Sequence, residues 1–166
     1  MRILITGSNG QLGHDLMEQA RSRDWQAVGA DLPQCDITNG DSVAAALAAA
    51  GSPAAVINAA AYTAVDAAEG DPATAYAVNR DGVATLASIC REHQVPLIHV
   101  STDYVFDGLK TSPYRPTDPI RPSGVYGHRS HSDPSDHYES LHQCLSCHAG
   151  DRWRAGGESC KSYYCK

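Results

Sequence analysis

Arg2-Ile3-Leu4-Ile5-Thr6, a strand-forming run, passes directly into Gly7-Ser8-Asn9-Gly10-Gln11-Leu12-Gly13, where three glycines recur at three-residue spacing. Leu12, Leu16 and Ala20 follow at the fourfold spacing of an amphipathic helix. Few chain paths satisfy a strand, a glycine turn and a helix in such quick succession. Gly7 permits the tight turn, Gly10 lets the backbone approach a ligand with no Cβ in the way, and Gly13 allows close packing of helix on sheet. The helix N-terminus then offers free N–H groups and a positive dipole end, which suits a pyrophosphate. Asp31 closes the next strand-like run 18 residues beyond Gly13. A carboxylate there accepts hydrogen bonds from a ribose 2′-hydroxyl and repels a 2′-phosphate, which favours NADH over NADPH.

Four short apolar runs read as strands, Arg2–Thr6, Ala27–Asp31, Ala54–Ala60 and Pro96–Ser101. Helical patterns lie between them. Val43, Leu47 and Ala50 form one apolar face, and Val83, Leu86, Ala87 and Cys90 another. Asp41 and Asp81 stand where N-caps or first-turn acids belong, and Gly51 where a helix stops. Strands alternating with helices predict right-handed crossovers and a parallel sheet, with ligands at the carboxyl ends of its strands.

Several further stretches occur in one order: Cys35-Asp36-Ile37-Thr38, then Asn58 through Glu69 (NAAAYTAVDAAE), then Ser101-Thr102-Asp103-Tyr104-Val105-Phe106-Asp107-Gly108, then Pro122-Ser123-Gly124-Val125-Tyr126-Gly127. Together with Thr6–Gly13 they make residues 1–127 resemble the dTDP-4-dehydrorhamnose reductases, which are extended short-chain dehydrogenase/reductases. The resemblance implies an α/β fold, a Rossmann-type doubly wound parallel sheet with helices on both faces, here incomplete and followed by an irregular C-terminal tail. It implies NADH- or NADPH-dependent reduction of the C4 keto group of dTDP-4-dehydro-β-L-rhamnose, a dTDP-sugar substrate, a homodimer, and in some members Mg²⁺. It places Gly10, Gln11 and Leu12 along the pyrophosphate, Asp31 at the adenosine ribose, Asp36 and Ile37 at the adenine, and Ala61, Tyr62 and Thr63 along the dinucleotide cleft. Thr102 corresponds to the catalytic hydroxyl, Asp103 to a substrate contact and Tyr126 to the catalytic tyrosine, which also borders the cofactor. Hydride arriving at a carbonyl carbon leaves charge on the oxygen, so a phenol that gives a proton and a hydroxyl that steadies the oxygen are what the chemistry needs.

The family carries Y-x-x-x-K, the lysine lowering the phenol's pKa from near 10. Here Tyr126-Gly127-His128-Arg129 is followed by Ser130. Loss of a positioned acid–base pair costs about 10²–10⁴-fold in rate, so very low activity is expected. Two other readings belong beside the reductase: a non-catalytic dinucleotide-binding regulatory subunit, and a nucleotide-sugar epimerase or dehydratase of the same extended family.

Composition divides the chain at the same place. Residues 1–126 hold 25 Val, Ile and Leu, whereas residues 127–166 hold only Leu141 and Leu145, with five of the eight His and four of the six Cys. So few aliphatic side chains cannot offset the entropy of ordering, and 127–166 are expected to be a mostly irregular tail, a frameshifted or otherwise aberrant end appended to a domain at 1–126. Cys144-Leu145-Ser146-Cys147-His148 matches a haem-attachment pattern, and with Cys160 and Cys165 it makes a possible thiolate zinc set. A His- and Cys-rich stretch yields such patterns by chance, and no metal is assigned. The net charge of −6 argues against nucleic acid or an anionic membrane as the main partner. No run of about 18 apolar residues is present, and Met1–Thr6 begins as a strand with no leader pattern, so a cytoplasmic location is expected.

Overall fold

The computed structural model describes residues 1–115, 118–124, 126 and 127, and the backbone alone at 145–146, 153–155 and 158–160. Four parallel strands form the sheet that positions the site: β1 (Arg2–Thr6), β2 (Gln26–Ala30), β3 (Ala55–Asn58) and β4 (Leu97–Ser101), in the order β2-β1-β3-β4. Thr6 lies beside Ala30 on one side and Asn58 on the other, and Asn58 lies beside His99. The carboxyl ends of β1, β2 and β3 therefore finish level, and β4 runs on two residues further to Ser101.

Alternation along β1 divides the core. Ile3 and Ile5 face helix α1 (Gln11–Arg21), where they bury against Ala20, Leu16 and Met17. Leu4 faces the other way, into a larger cluster with Val43 and Leu47 of α2 (Gly40–Ala49), Val56 of β3, Ile37, and Leu86 and Cys90 of α5 (Val83–Glu92). Helices thus cover both faces, as a parallel sheet buried on each side requires. The apolar runs and spacings of the sequence correspond to these elements within one or two residues at each strand boundary.

Local chemistry explains the helix ends. Asn39 caps α2 by accepting from the Ser42 N–H at 3.2 Å, Asp41 occupies the first turn, and Gly51 leaves the helix with φ +66. Asp81 does not begin a helix, contrary to expectation. The helix before β4 starts earlier, at α4 (Pro72–Tyr76), with Asp71 accepting from the Thr74 N–H and Pro72 in the first turn. It then runs through a π-helical turn (Ala77–Gly82) straight into α5. Asp81 sits inside that turn, exposed and paired with Arg80 at 2.6 Å. A shorter helix, α3 (Val65–Gly70), precedes it, and neither α3 nor α4 was legible from apolar spacing alone.

Beyond residue 127 three short strands appear, β5 (Leu145–Ser146), β6 (Trp153–Ala155) and β7 (Glu158–Cys160). β5 extends the sheet in parallel beside β4, and β6 pairs with β7 antiparallel. These eight residues are the regular pieces described within a stretch expected to be mostly irregular. Strand pairing uses main-chain groups that every residue carries, so a shortage of aliphatic side chains does not forbid it. Ser130, Cys144, Cys147, His148 and Cys165 lie outside the described residues.

Candidate dinucleotide crevice

β1 leads by way of α1 to β2 on one side, while β3 leads by way of α3 to α5 to β4 on the other. The order of strands reverses between β1 and β3, and open α/β sheets bind ligands outside the carboxyl ends at such a point. Gly7 lies there. Its φ is +71, and a Cβ at this position would come within 2.5 Å of the Ala60 nitrogen just beyond β3. Only a glycine lets the turn rest directly on the backbone that leaves β3. At Gly13 a Cβ would collide with the carbonyl oxygen of Gly7 and approach the Ser8 Cα at 2.7 Å. The third glycine thus lets α1 close onto its own turn, a nearer contact than the helix-on-sheet packing the spacing suggests. Gly10 precedes α1 as its N-cap with no side-chain cap, so the first-turn N–H groups of Gln11, Leu12 and Gly13 have no carbonyl partner one helical turn back.

Asp31 ties this turn to β2. One carboxylate oxygen accepts the Asn9 N–H at 2.8 Å and the other accepts the Leu32 N–H at 2.8 Å, while the Gly7 N–H donates to the Ala30 carbonyl at 2.9 Å. The carboxylate is held at the crevice rim with lone pairs to spare for further donors. Its backbone carbonyl accepts from the Cys35 N–H at 2.8 Å, which brings Asp36 alongside. Asp36 in turn accepts from the N–H and hydroxyl of Thr38 at 2.9 and 2.8 Å. Ile37 is 5% exposed and its side chain belongs to the core, so it offers no side-chain surface to the crevice. Burial first, then the neighbouring carboxylates of Asp36 and Asp31, push the Cys35 thiol up and keep it protonated.

Beneath the crevice a polar ladder crosses three strands. Thr6 Oγ1 donates to Asn58 Oδ1 at 2.7 Å, the Ala60 N–H donates to the same oxygen at 3.0 Å, and Asn58 Nδ2 lies 3.0 Å from His99 Nδ1. With its oxygen receiving two donors, the Asn58 amide presents N–H to His99, whose Nδ1 must therefore be the unprotonated acceptor. Burial lowers the His99 pKa to about 4, which keeps the ring neutral, as an acceptor nitrogen requires.

On the β3 and β4 side, Ala61 and Thr63 are exposed and Tyr62 is half-buried between them. Asn79 holds Tyr62 at both backbone atoms: its Oδ1 accepts the Tyr62 N–H at 2.8 Å and its Nδ2 donates to the Tyr62 carbonyl at 2.9 Å. The Tyr62 ring packs with Val65 against Ala68, Ala75 and Tyr126. Thr102 follows β4 directly, where its hydroxyl accepts the Tyr104 N–H at 3.3 Å and donates to Asp103 at 3.3 Å. Tyr104 meets Tyr126 edge to face, with ring centroids 5.4 Å apart, and a Cβ on Gly127 would strike the Tyr104 carbonyl oxygen. Tyr104 thereby links the Thr102 turn to Tyr126, which is 9% exposed.

Three groups of this crevice escaped the sequence reading: Asn79, Tyr104 as a contact of Tyr126, and the Thr6–Asn58–His99 ladder. Asn79 did leave a trace, because Ala75, Asn79 and Val83 share one fourfold face and two of the three are apolar. Among the described residues no group of three or more His, Cys, Asp or Glu side chains could hold a metal ion. The Mg²⁺ that the resemblance allows has no assembled donor set there. No helix among the described residues is long and apolar enough to cross a membrane.

Fold and site together define a doubly wound α/β unit with a glycine turn at its switch point. The family described as the RmlD substrate binding domain matches residues 1–132, and the chain belongs to that family. It is 46% identical over 127 residues to the dTDP-4-dehydrorhamnose reductase of Sinorhizobium fredii, a match spanning 76% of this chain and 42% of that protein. The reductase of Aggregatibacter actinomycetemcomitans is 45% identical over 127 residues, 76% of this chain and 43% of that one. Among solved structures, a dTDP-4-dehydrorhamnose reductase of Bacillus anthracis in complex with NADP superposes with TM-score 0.73 at 34% identity, covering 78% of this chain and 46% of that chain. The chain spans less than half the length of the curated relatives it matches.

Proposed function

We propose that this chain carries the dinucleotide-binding part of a dTDP-4-dehydrorhamnose reductase, residues 1–126, and that it takes NADH in preference to NADPH for reduction of the C4 keto group of dTDP-4-dehydro-β-L-rhamnose. The observation that carries this reading is the Gly7 turn seated on the Ala59–Ala60 backbone beside an Asp31 carboxylate held by two N–H groups. Relatives named for this reaction and a solved relative containing NADP support it.

In this reading the N–H groups of Gln11, Leu12 and Gly13 receive the pyrophosphate, with Gly10 leaving room for it. Asp31 accepts the hydroxyls of the adenosine ribose, and its fixed charge opposes a 2′-phosphate. Asp36 and the Ile37 backbone border the adenine, while Ala61, Tyr62 and Thr63 line the remainder of the dinucleotide. When bound, the dihydronicotinamide supplies a hydride to the keto carbon. Thr102 steadies the carbonyl oxygen by hydrogen bonding, Asp103 holds the sugar, and Tyr126 borders the nicotinamide and gives the oxygen its proton. Ser130 stands where the family lysine would sharpen that proton transfer, so turnover is expected about 10²–10⁴-fold below that of full-length relatives.

Titration with NADH, followed by NADH oxidation in the presence of dTDP-4-dehydrorhamnose, tests both levels. Saturable binding with slow, sugar-dependent oxidation is the expected result. Absence of saturable NADH binding overturns the whole reading, and rapid turnover overturns the role given to the Ser130 substitution.

A further inference from the structure

We propose that Asn9 is a site of spontaneous covalent modification, where the Asn9-Gly10 pair closes to a succinimide and reopens as aspartate or isoaspartate, and that a dinucleotide in the crevice protects it. The protection rests on the reading of the crevice as an NADH site, whereas the modification stands apart from it.

The chain holds two Asn-Gly pairs, Asn9-Gly10 and Asn39-Gly40. Glycine favours this reaction because no side chain hinders its backbone nitrogen from approaching the preceding carboxamide. The glycine nitrogen bonds to the asparagine Cγ, and the carboxamide nitrogen leaves as ammonia, carrying off the proton of the backbone N–H. Water then adds to either carbonyl of the ring, giving its hydroxyl to the carbon and its proton to the nitrogen. One opening leaves a carboxyl in place of the carboxamide, and the other routes the main chain through the former side chain.

The fold treats the two pairs differently. Asn39 caps α2, its Oδ1 accepting the Ser42 N–H at 3.2 Å, and Gly40 is the first residue of that helix. Closure there has to release the cap and turn the Gly40 nitrogen out of the helix. Asn9 is exposed, and its side chain makes no hydrogen bond among the described residues. Gly10 lies outside α1 with extended backbone, φ −72 and ψ 167. One restraint remains, because the Gly10 N–H donates to the Gly7 carbonyl at 3.1 Å. The reaction therefore proceeds from a turn that has opened locally.

That opening couples the modification to the ligand. NADH binds the closed turn, so at about ten times its dissociation constant it lowers the open population, and with it the rate, about tenfold. Either product in return damages the crevice. Aspartate sets a second carboxylate beside Asp31, which already accepts the Asn9 N–H at 2.8 Å, in the turn that receives the pyrophosphate. Isoaspartate inserts an extra main-chain carbon between the N–H held by Asp31 and the N–H held by Gly7, so the turn no longer satisfies both. A vacant chain loses its crevice with age, and an occupied one keeps it.

The test incubates the full chain at mildly alkaline pH, with and without saturating NADH, and follows each Asn-Gly pair by peptide mass analysis. Rates are taken relative to the chain unfolded in urea, where no cap or turn distinguishes the pairs. Asn9 is expected to convert about tenfold faster than Asn39, the size of one helix cap, and to slow in NADH as above. NADH-binding capacity should decay in step with Asn9. Asn9→Gln, whose longer side chain closes a larger ring far more slowly, should keep its own capacity over the same time. An intact Asn9, or equal relative rates at Asn9 and Asn39, overturns the modification site. An Asn9 rate indifferent to NADH, NADH binding that survives full conversion, or equal loss of capacity by Asn9→Gln overturns the link to the crevice. No saturable NADH binding by fresh chain overturns the crevice reading and that link with it, while the comparison of Asn9 with Asn39 still decides the modification.

Discussion

At the scale of single residues, Asp31 and His99 show how one environment decides what a side chain does. The Asp31 carboxylate is held by the Asn9 and Leu32 N–H groups, so it cannot swing away from an approaching 2′-phosphate. Asp31→Asn retains an acceptor for Asn9 and removes the charge. The ratio of NADPH to NADH dissociation constants is expected to fall about tenfold, equivalent to roughly 1.4 kcal/mol, as read by parallel titrations. His99 acts on stability. Its folded pKa lies at about 4, below the usual 6.5, so between those values the unfolded chain binds a proton that the folded chain refuses. Stability therefore rises with pH through that window and is lost as pH falls from 6.5 toward 4, by at most about 3 kcal/mol. His99→Gln keeps an acceptor for Asn58 Nδ2 without titrating. Urea unfolding at pH 7 and near pH 4 should show a smaller difference for this variant than for wild type, and equal differences would remove the ladder from the account. Asp31 was legible from its position at the end of a strand-like run. His99 was not, because an isolated histidine in an apolar run says nothing of the Asn58 amide one strand away.

At the scale of elements, the glycine turn is the clearest case of local sequence specifying local structure. Its three glycines answer three separate steric demands, and Gly13 meets the severest, since a Cβ there would strike the Gly7 carbonyl oxygen. Gly13→Ala is expected to cost about 1–3 kcal/mol in stability, as overpacking does, and to weaken NADH binding by displacing the start of α1. Unfolding and NADH titration of the same variant check both effects, and an unaltered NADH affinity would separate the turn from the ligand. The helix before β4 teaches the opposite lesson. Asp81 looked like an N-terminal acid, yet Asp71-Pro72 begins the helix and a π-helical turn carries it past Asp81. The Asp-Pro pair with Thr74 was a visible capping signal. The π turn was not, and the partner that Asn79 meets from within it, the Tyr62 backbone, lies 17 residues earlier.

At the scale of the whole molecule, two cores back a single sheet, and the larger one sets the stability. Leu86 is fully buried among Leu4, Ile37, Val43, Leu47, Val56 and Cys90. Leu86→Ala is expected to cost about 2–5 kcal/mol, measured by urea unfolding. Burial pushes the Cys90 thiol up to about 11, so folded chain should resist alkylation there, and the same variant should hasten it by opening the core. A Cys90 that reacts equally fast in both would mean that local opening, not the Leu86 core, limits access. The sequence by itself determined the strands, their alternation with helices, the glycine turn and the acid at the end of β2. Each is a short-range matter of φ, of which face a side chain occupies, or of hydrogen bonding within a few residues. Only the tertiary structure decided which partners those residues meet: Gly7 on Ala60, Asn9 on Asp31, Asn79 on Tyr62, Tyr104 on Tyr126, and Thr6, Asn58 and His99 in one ladder. Those pairings depend on the order of strands across the sheet. Crossovers bring together residues tens of positions apart, and one strand's apolar pattern carries no record of which strand lies beside it.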